Sequence, residues 1–173
     1  QPISVSIQPK NGGLQICIGN ILPDAAVCSL NVWRVDLRFR MAERVLQQAD
    51  ISCAQSTDLF VEAAHSEHAL FVAELQVDAK KPYSVRNWYR TGCPYLQKAD
   101  SALRWSMERA PDKTCGTVIL YAEQYVHAVE LEGFSGLSDN YFSMLPGEEK
   151  RVAFLDTAEM QSIEAYCGSL EMG

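Results

Sequence analysis

The sequence predicts an all-β fold: two consecutive antiparallel β-sandwiches. Three observations carry that reading. Apolar and polar residues alternate over short runs, the period-2 pattern of a half-buried strand. Gly, Pro, Asn and Asp punctuate those runs at regular intervals. Charge then steps between the halves of the 173-residue chain. Residues 1–92 hold nine basic and nine acidic side chains, whereas residues 93–173 hold six basic and thirteen acidic, the whole net charge of −7. The predicted domains are therefore 1–92 and 93–173.

The first half supplies seven strand candidates. Ile3, Val5 and Ile7 point one way, with Ser4 and Ser6 opposite. Asn11-Gly12-Gly13 is a hairpin turn signal, and Leu14, Ile16 and Ile18 form the next face. Leu22-Pro23-Asp24 breaks the pattern. Cys28 to Leu37 is a longer strand whose apolar phase changes between Val32 and Trp33, as at a bulge or in a strand covered on both faces. Val45 to Ile51 is a weaker candidate. Leu59, Val61 and Ala63 share a face, as do Phe71, Ala73, Leu75 and Val77. Asp78-Ala79-Lys80-Lys81-Pro82 is a turn, and Tyr83 to Tyr89 closes the set. Seven strands at this spacing fit one sandwich.

Residues 90–100 lack alternation and read as a linker. The second half restarts with Leu103, Trp105 and Met107 on one face. Ala110-Pro111-Asp112-Lys113 is a turn. Val118, Leu120 and Ala122 follow, then His127, Val129 and Leu131. Ser138-Asp139-Asn140 is turn chemistry, since Asp and Asn side chains bond nearby backbone and Asn tolerates positive φ. Phe142 and Met144 face one way and Ser143 the other. Leu145-Pro146-Gly147-Glu148 fits a type II turn, and Val152 and Phe154 share the next face. Thr157 to Tyr166 reads as either a capped helical turn or a last strand.

Composition excludes several functions. A net charge of −7 disfavours nucleic acid, which wants clustered Lys and Arg. No apolar run approaches a membrane helix, so no membrane partner is expected. The start lacks an initiating Met and a basic leader region, and reads as a cut within a longer protein. Six cysteines, Cys17, Cys28, Cys53, Cys93, Cys115 and Cys167, form no CxxC pair. Cys17 and Trp33 can begin an immunoglobulin-type disulfide pattern, but Leu70 to Leu75 lacks the second Cys. Reduced, buried thiols are expected, and with them a cytoplasmic location.

No catalytic, cofactor-binding or metal-binding residue is assigned. Glu148 and Glu149 follow a turn and read as solvated acids. His65 and His68 sit three apart in a polar loop with no third ligand in view. His127 reads as a packed histidine on the apolar face of its strand. Trp33 and Trp105 fall in phase with core residues. Trp88 and Tyr141 are the candidate ring contacts for a sugar, with a role between domains as the plainer reading.

The stretch Leu137-Ser138-Asp139-Asn140-Tyr141-Phe142, followed by Leu145-Pro146-Gly147-Glu148, resembles the C-terminal immunoglobulin-like domain of glycoside hydrolase family 2 β-mannosidases. Leu137 stands where Phe is common. Leu70 to Leu75 and Ser84-Val85-Arg86-Asn87-Trp88-Tyr89 resemble the end of the preceding sandwich in the same enzymes. Asn20-Ile21-Leu22-Pro23 is similar to its Asn-Asp-Leu-Pro turn, with Ile21 departing. The resemblance implies two immunoglobulin/fibronectin III-like sandwiches forming a non-catalytic accessory region. The partner it implies is the parent's catalytic barrel, with carbohydrate as a second candidate. The family's catalytic glutamates lie in that barrel, whose strand–helix alternation is missing here. A carbohydrate-binding module, an interaction module, and the same region of an exo-β-glucosaminidase are the alternatives.

Overall fold

The computed structural model describes residues 2–37, 39, 41–63, 68–78, 83–90, 96–98, 102–111 and 115–168. It is all-β, in four antiparallel sheets. Two compact units result: Gln1–Asp36 with Glu43–Cys93, and Leu37–Ala42 with Pro94–Gly173. Among the described residues no helix is long and apolar enough to cross a membrane.

Unit 1 holds β1 (Ile3–Lys10), β2 (Gly13–Asn20), β3 (Ala26–Asp36), all but the first two residues of β4 (Met41–Cys53), β5 (Ser56–Glu62), β6 (Ala69–Asp78) and β7 (Tyr83–Arg90). One sheet runs β1-β2-β5, the other β4-β3-β6-β7. That is an immunoglobulin-type order with the fourth strand moved to the second sheet. β1 and β2 pair from Ile3↔Asn20 to Lys10↔Gly13, closed by Asn11-Gly12. Alternation puts Leu14, Ile16 and Ile18 inward from β2 against Leu30, Val32, Phe71 and Leu75 from the facing sheet. Burying each such side chain contributes about 1.5–3 kcal/mol.

The phase change in β3 is resolved by its register. β3 and β6 pair without interruption from Val27↔Asp78 to Asp36↔Ala69, so no bulge separates Val32 from Trp33. Both faces of this end of the sheet are buried instead. Phe71 and Ala73 face the core, while Val35, Leu70 and Val72 are buried on the other side. Trp33 keeps phase with Val35 but lies outside the core cluster, half-buried, with the Arg44 guanidinium 5.5 Å from its ring centroid. The expectation of a core Trp33 is corrected accordingly.

Unit 2 holds β8 (Leu96–Lys98), β9 (Leu103–Arg109), β10 (Gly116–Ala122), β11 (Val126–Ser135), β12 (Phe142–Met144), β13 (Glu149–Phe154) and β14 (Asp156–Gly168). Its sheets run β13-β10-β9 and β12-β11-β14-β8. The arrangement repeats that of unit 1 with one exchange. The edge place beside β6 is filled by the last strand of unit 1, β7. The equivalent place beside β14 is filled by β8, which comes first. The predicted linker 90–100 therefore contains a strand, paired Tyr166↔Lys98 to Gly168↔Leu96. The ambiguous tail is strand, because β11 and β8 offer it partners on both sides. Val118, Leu120, Val126, Val129, Met144, Val152 and Phe154 form the core. Phe134 meets Phe154 edge-on at 5.3 Å between ring centroids, the favoured aromatic geometry.

Candidate functional site

The segment that carries the family resemblance is a set of backbone locks. Leu145-Pro146-Gly147-Glu148 closes as a type II turn. The Glu148 amide donates to the Leu145 carbonyl at 3.2 Å, and Gly147 takes φ 82°, the left-handed position that glycine suits. The turn is tied to β10, where the Gly147 amide donates to the Ala122 carbonyl at 2.7 Å. Glu148 is not merely solvated: its Oε2 accepts the Leu145 amide at 2.9 Å. Glu149 is exposed and lies 3.7 Å from Arg151.

Upstream, Asp139 Oδ1 accepts the Asn140 amide at 2.9 Å, and its Oδ2 pairs with Lys150 Nζ at 2.6 Å. Asn140 Oδ1 accepts the Leu131 amide at 2.9 Å. Positive φ falls not on Asn140 but on Tyr141, at 58°. Tyr141 is 66% exposed, and its hydroxyl donates to Glu130 Oε1 at 2.6 Å. That bond, and then the charge of the same carboxylate, raise the phenol's pKa above its usual value.

His127 does not share the face of Val129 and Leu131. Ala128 has φ 50°, and the pairing of β11 with β12 and with β14 shifts register here. This bulge gives the core position to Val126 and leaves His127 half-buried. Its Nδ1 shares hydrogen bonds with Ser143 Oγ at 2.9 Å and the Tyr125 hydroxyl at 3.2 Å. Two hydroxyls on one ring nitrogen hold the imidazole against its strands. His65 lies outside the described residues; His68 is half-buried in a turn. Among the described residues no group of three metal-ligating side chains gathers.

The aromatic candidates separate. Trp88 is half-buried on β7, opposite Val72. Trp105 was expected in the core. It does pair with Leu120, on the phase of Leu103 and Met107. But β9 is an edge strand, with no neighbour beyond it to cover a large ring, and Trp105 stays 45% exposed. On the outer face of β13-β10-β9, Tyr121 is 37% exposed. Arg104 pairs with it across the strands, its guanidinium 5.0 Å from the ring centroid and its Nε 2.7 Å from Glu123. Arg104, Trp105, Ser106, Ile119, Tyr121 and Glu149 line a shallow depression of about 340 Å³. Sequence reasoning missed this place. Its signal was the exposed phase of β9 and β10, where Arg104 and Tyr121 fall opposite the core residues.

Cys17, Cys28, Cys53 and Cys115 are free thiols. Burial, and then the neighbouring Cys53, raise the pKa of Cys28. Cys93 lies outside the described residues, as does the side chain of Cys167.

No protein-family model and no curated protein matches the chain. Among solved structures it is similar to the β-D-mannosidase from Dictyoglomus thermophilum, with a TM-score of 0.63 at 16% identity. The match covers 96% of this chain and 22% of that one. The likeness is one of fold, and the chain spans under a quarter of the mannosidase's length. Red sea bream transglutaminase aligns over 95% of this chain and 29% of its own at 10% identity, with a TM-score of 0.33, too low to mark a shared fold.

Proposed function

We propose that this chain is a non-catalytic accessory region, of the C-terminal two-sandwich type, from a β-mannosidase-like glycoside hydrolase of family 2. In this reading, terminal β-D-mannosyl residues are hydrolysed by a barrel elsewhere in the parent protein, and that barrel is the chain's partner. The observation that carries it is the β-mannosidase match, which takes in 96% of the chain. The Ser138-to-Phe142 and Leu145-to-Glu148 motifs add independent support from sequence. Their residues do structural work: Asp139, Asn140 and Glu148 all bond backbone amides. Glycoside hydrolysis needs two carboxyls facing one another across a cleft, and these carboxylates are engaged in turns and ion pairs. The role that remains is to fold and to pack on the catalytic domain. Sequencing the coding region upstream of Gln1 tests this. A (β/α)8 pattern with glutamates at strand ends is expected; an upstream region without any such pattern would overturn the proposal.

A further inference from the structure

We infer that the turn at residues 20–25 of unit 1 is a docking surface for apolar side chains of the segment directly preceding Gln1 in the parent protein. This rests on the reading of the chain as part of a longer protein, and it names where that protein meets unit 1. Ile21 is 85% exposed and Leu22 42%, and Pro23 and Ala25 are exposed beside them. Asp24 is the one charged residue between Asn20 and Val27. Single apolar residues on a surface are ordinary, whereas a contiguous patch marks an interaction site.

The patch is also held in place. The buried Asn20 side chain bonds the Leu22 amide and the carbonyls of Cys53 and Asp24. The Asn20 amide donates to the Gln55 carbonyl at 2.8 Å. A turn fixed in this way presents its apolar side chains with little ordering left to do on binding. The strand ladder decides what covers them. The pairing of β1 with β2 ends on Ile3↔Asn20, and one step beyond it the Ile21 amide donates to the Pro2 carbonyl at 3.0 Å. A residue before proline favours extended backbone, so chain arriving at Pro2 along this ladder passes beside Leu22 and Pro23. A separate partner would compete there with a segment already tethered next to Ile21, at high effective concentration.

The test is hydroxyl-radical footprinting of the intact parent protein, read at single side chains and corrected for intrinsic reactivity. Ile21 and Leu22 should be modified about fivefold less than their exposure here implies, since the core of a docked surface is packed like a protein interior. Phe60, 54% exposed on β5, is the reference and should react as an exposed ring. Protection should not depend on protein concentration; protection that fades on dilution would put a second copy on the patch and overturn the inference. Ile21→Ser, on an exposed side chain, should leave the parent folded and speed thermolysin cleavage just before Gln1 several-fold, whereas Phe60→Ser should not. Full reactivity of Ile21 and Leu22, or unchanged cleavage in Ile21→Ser, would also overturn it. With a barrel upstream, those results overturn the docking alone. Protection in a parent without a barrel would overturn the family reading and leave the docking in place. A parent with no residues before Gln1 would overturn both.

Discussion

The side chain of Asn140 accepts the backbone N–H of Leu131 at 2.9 Å. The bond ties the loop before β12 to β11 just past the bulge at Ala128, where strand pairing is irregular. Leu131 is buried, so its amide would otherwise lack a partner. Asn140→Ala should cost about 1–3 kcal/mol, the penalty for stranding a buried donor. Urea denaturation measures the loss, and hydrogen exchange should quicken at the Leu131 amide.

Asp139 beside it has a smaller role. It holds the Asn140 amide and pairs with Lys150, but both charged side chains are partly exposed, at 46% and 34%. Solvent screening limits such a pair, and Asp139→Ala should cost about 1 kcal/mol. For a domain of this size that lowers the melting temperature by about 4–8 °C. An unaltered melting temperature would mean the turn is not locked by this carboxylate.

Asn20 is the corresponding lock in unit 1. It continues the inward phase of β2 after Ile16 and Ile18, and is buried. Its Oδ1 accepts the Leu22 amide at 2.8 Å, and its Nδ2 donates to the carbonyls of Cys53 at 2.9 Å and Asp24 at 3.0 Å. Asn20→Ala removes three partners at once and should cost about 2–4 kcal/mol. Asn20→Asp should also destabilise, because two of the three bonds need a donor. Thermal melting reads both.

The paired strands came readily from sequence, and the site did not. All seven strands of unit 1 follow from alternation and turn residues. The same signals found the type II turn at Pro146-Gly147. What failed were places where one strand's phase is not enough. The bulge at Ala128 reverses His127, yet Val126-His127-Ala128-Val129 carries no glycine to announce it. Trp105 has core phase, but only the sheet order reveals that β9 is an edge. β8 is three residues long and is fixed by pairing with β14, which no local pattern states. The aromatic depression needs two strands in register, so Arg104 and Tyr121 are neighbours only after folding.

Close approach in unit 2 makes a further prediction. A Cβ at Gly116 would collide with the Glu108 carbonyl oxygen and come within 2.9 Å of the Phe154 ring. Backbone on one side and a buried ring on the other leave little room to yield. Gly116→Ala should destabilise by about 1–3 kcal/mol. Gly12→Ala, where nothing lies within 4 Å, bears only the backbone strain of φ 81° and should cost about 1 kcal/mol.

Tyr141 predicts a pH dependence. Its hydrogen bond to Glu130 raises the phenol's pKa in the folded chain. A raised folded value means the bond's contribution is complete below the unfolded pKa of about 10. It is lost as pH rises through the folded value. Ultraviolet titration should show a late-ionising component that Tyr141→Phe removes. The ring is exposed, so the accompanying change in stability should be small.

The central claim is that this chain is a non-catalytic accessory region that folds but does not hydrolyse. Incubating the purified chain with 4-nitrophenyl β-D-mannopyranoside tests it most directly. No release of nitrophenol above buffer is expected, from the parent sequence or from Glu148→Gln and Glu149→Gln variants. Turnover that disappears on changing a single carboxylate would contradict the claim.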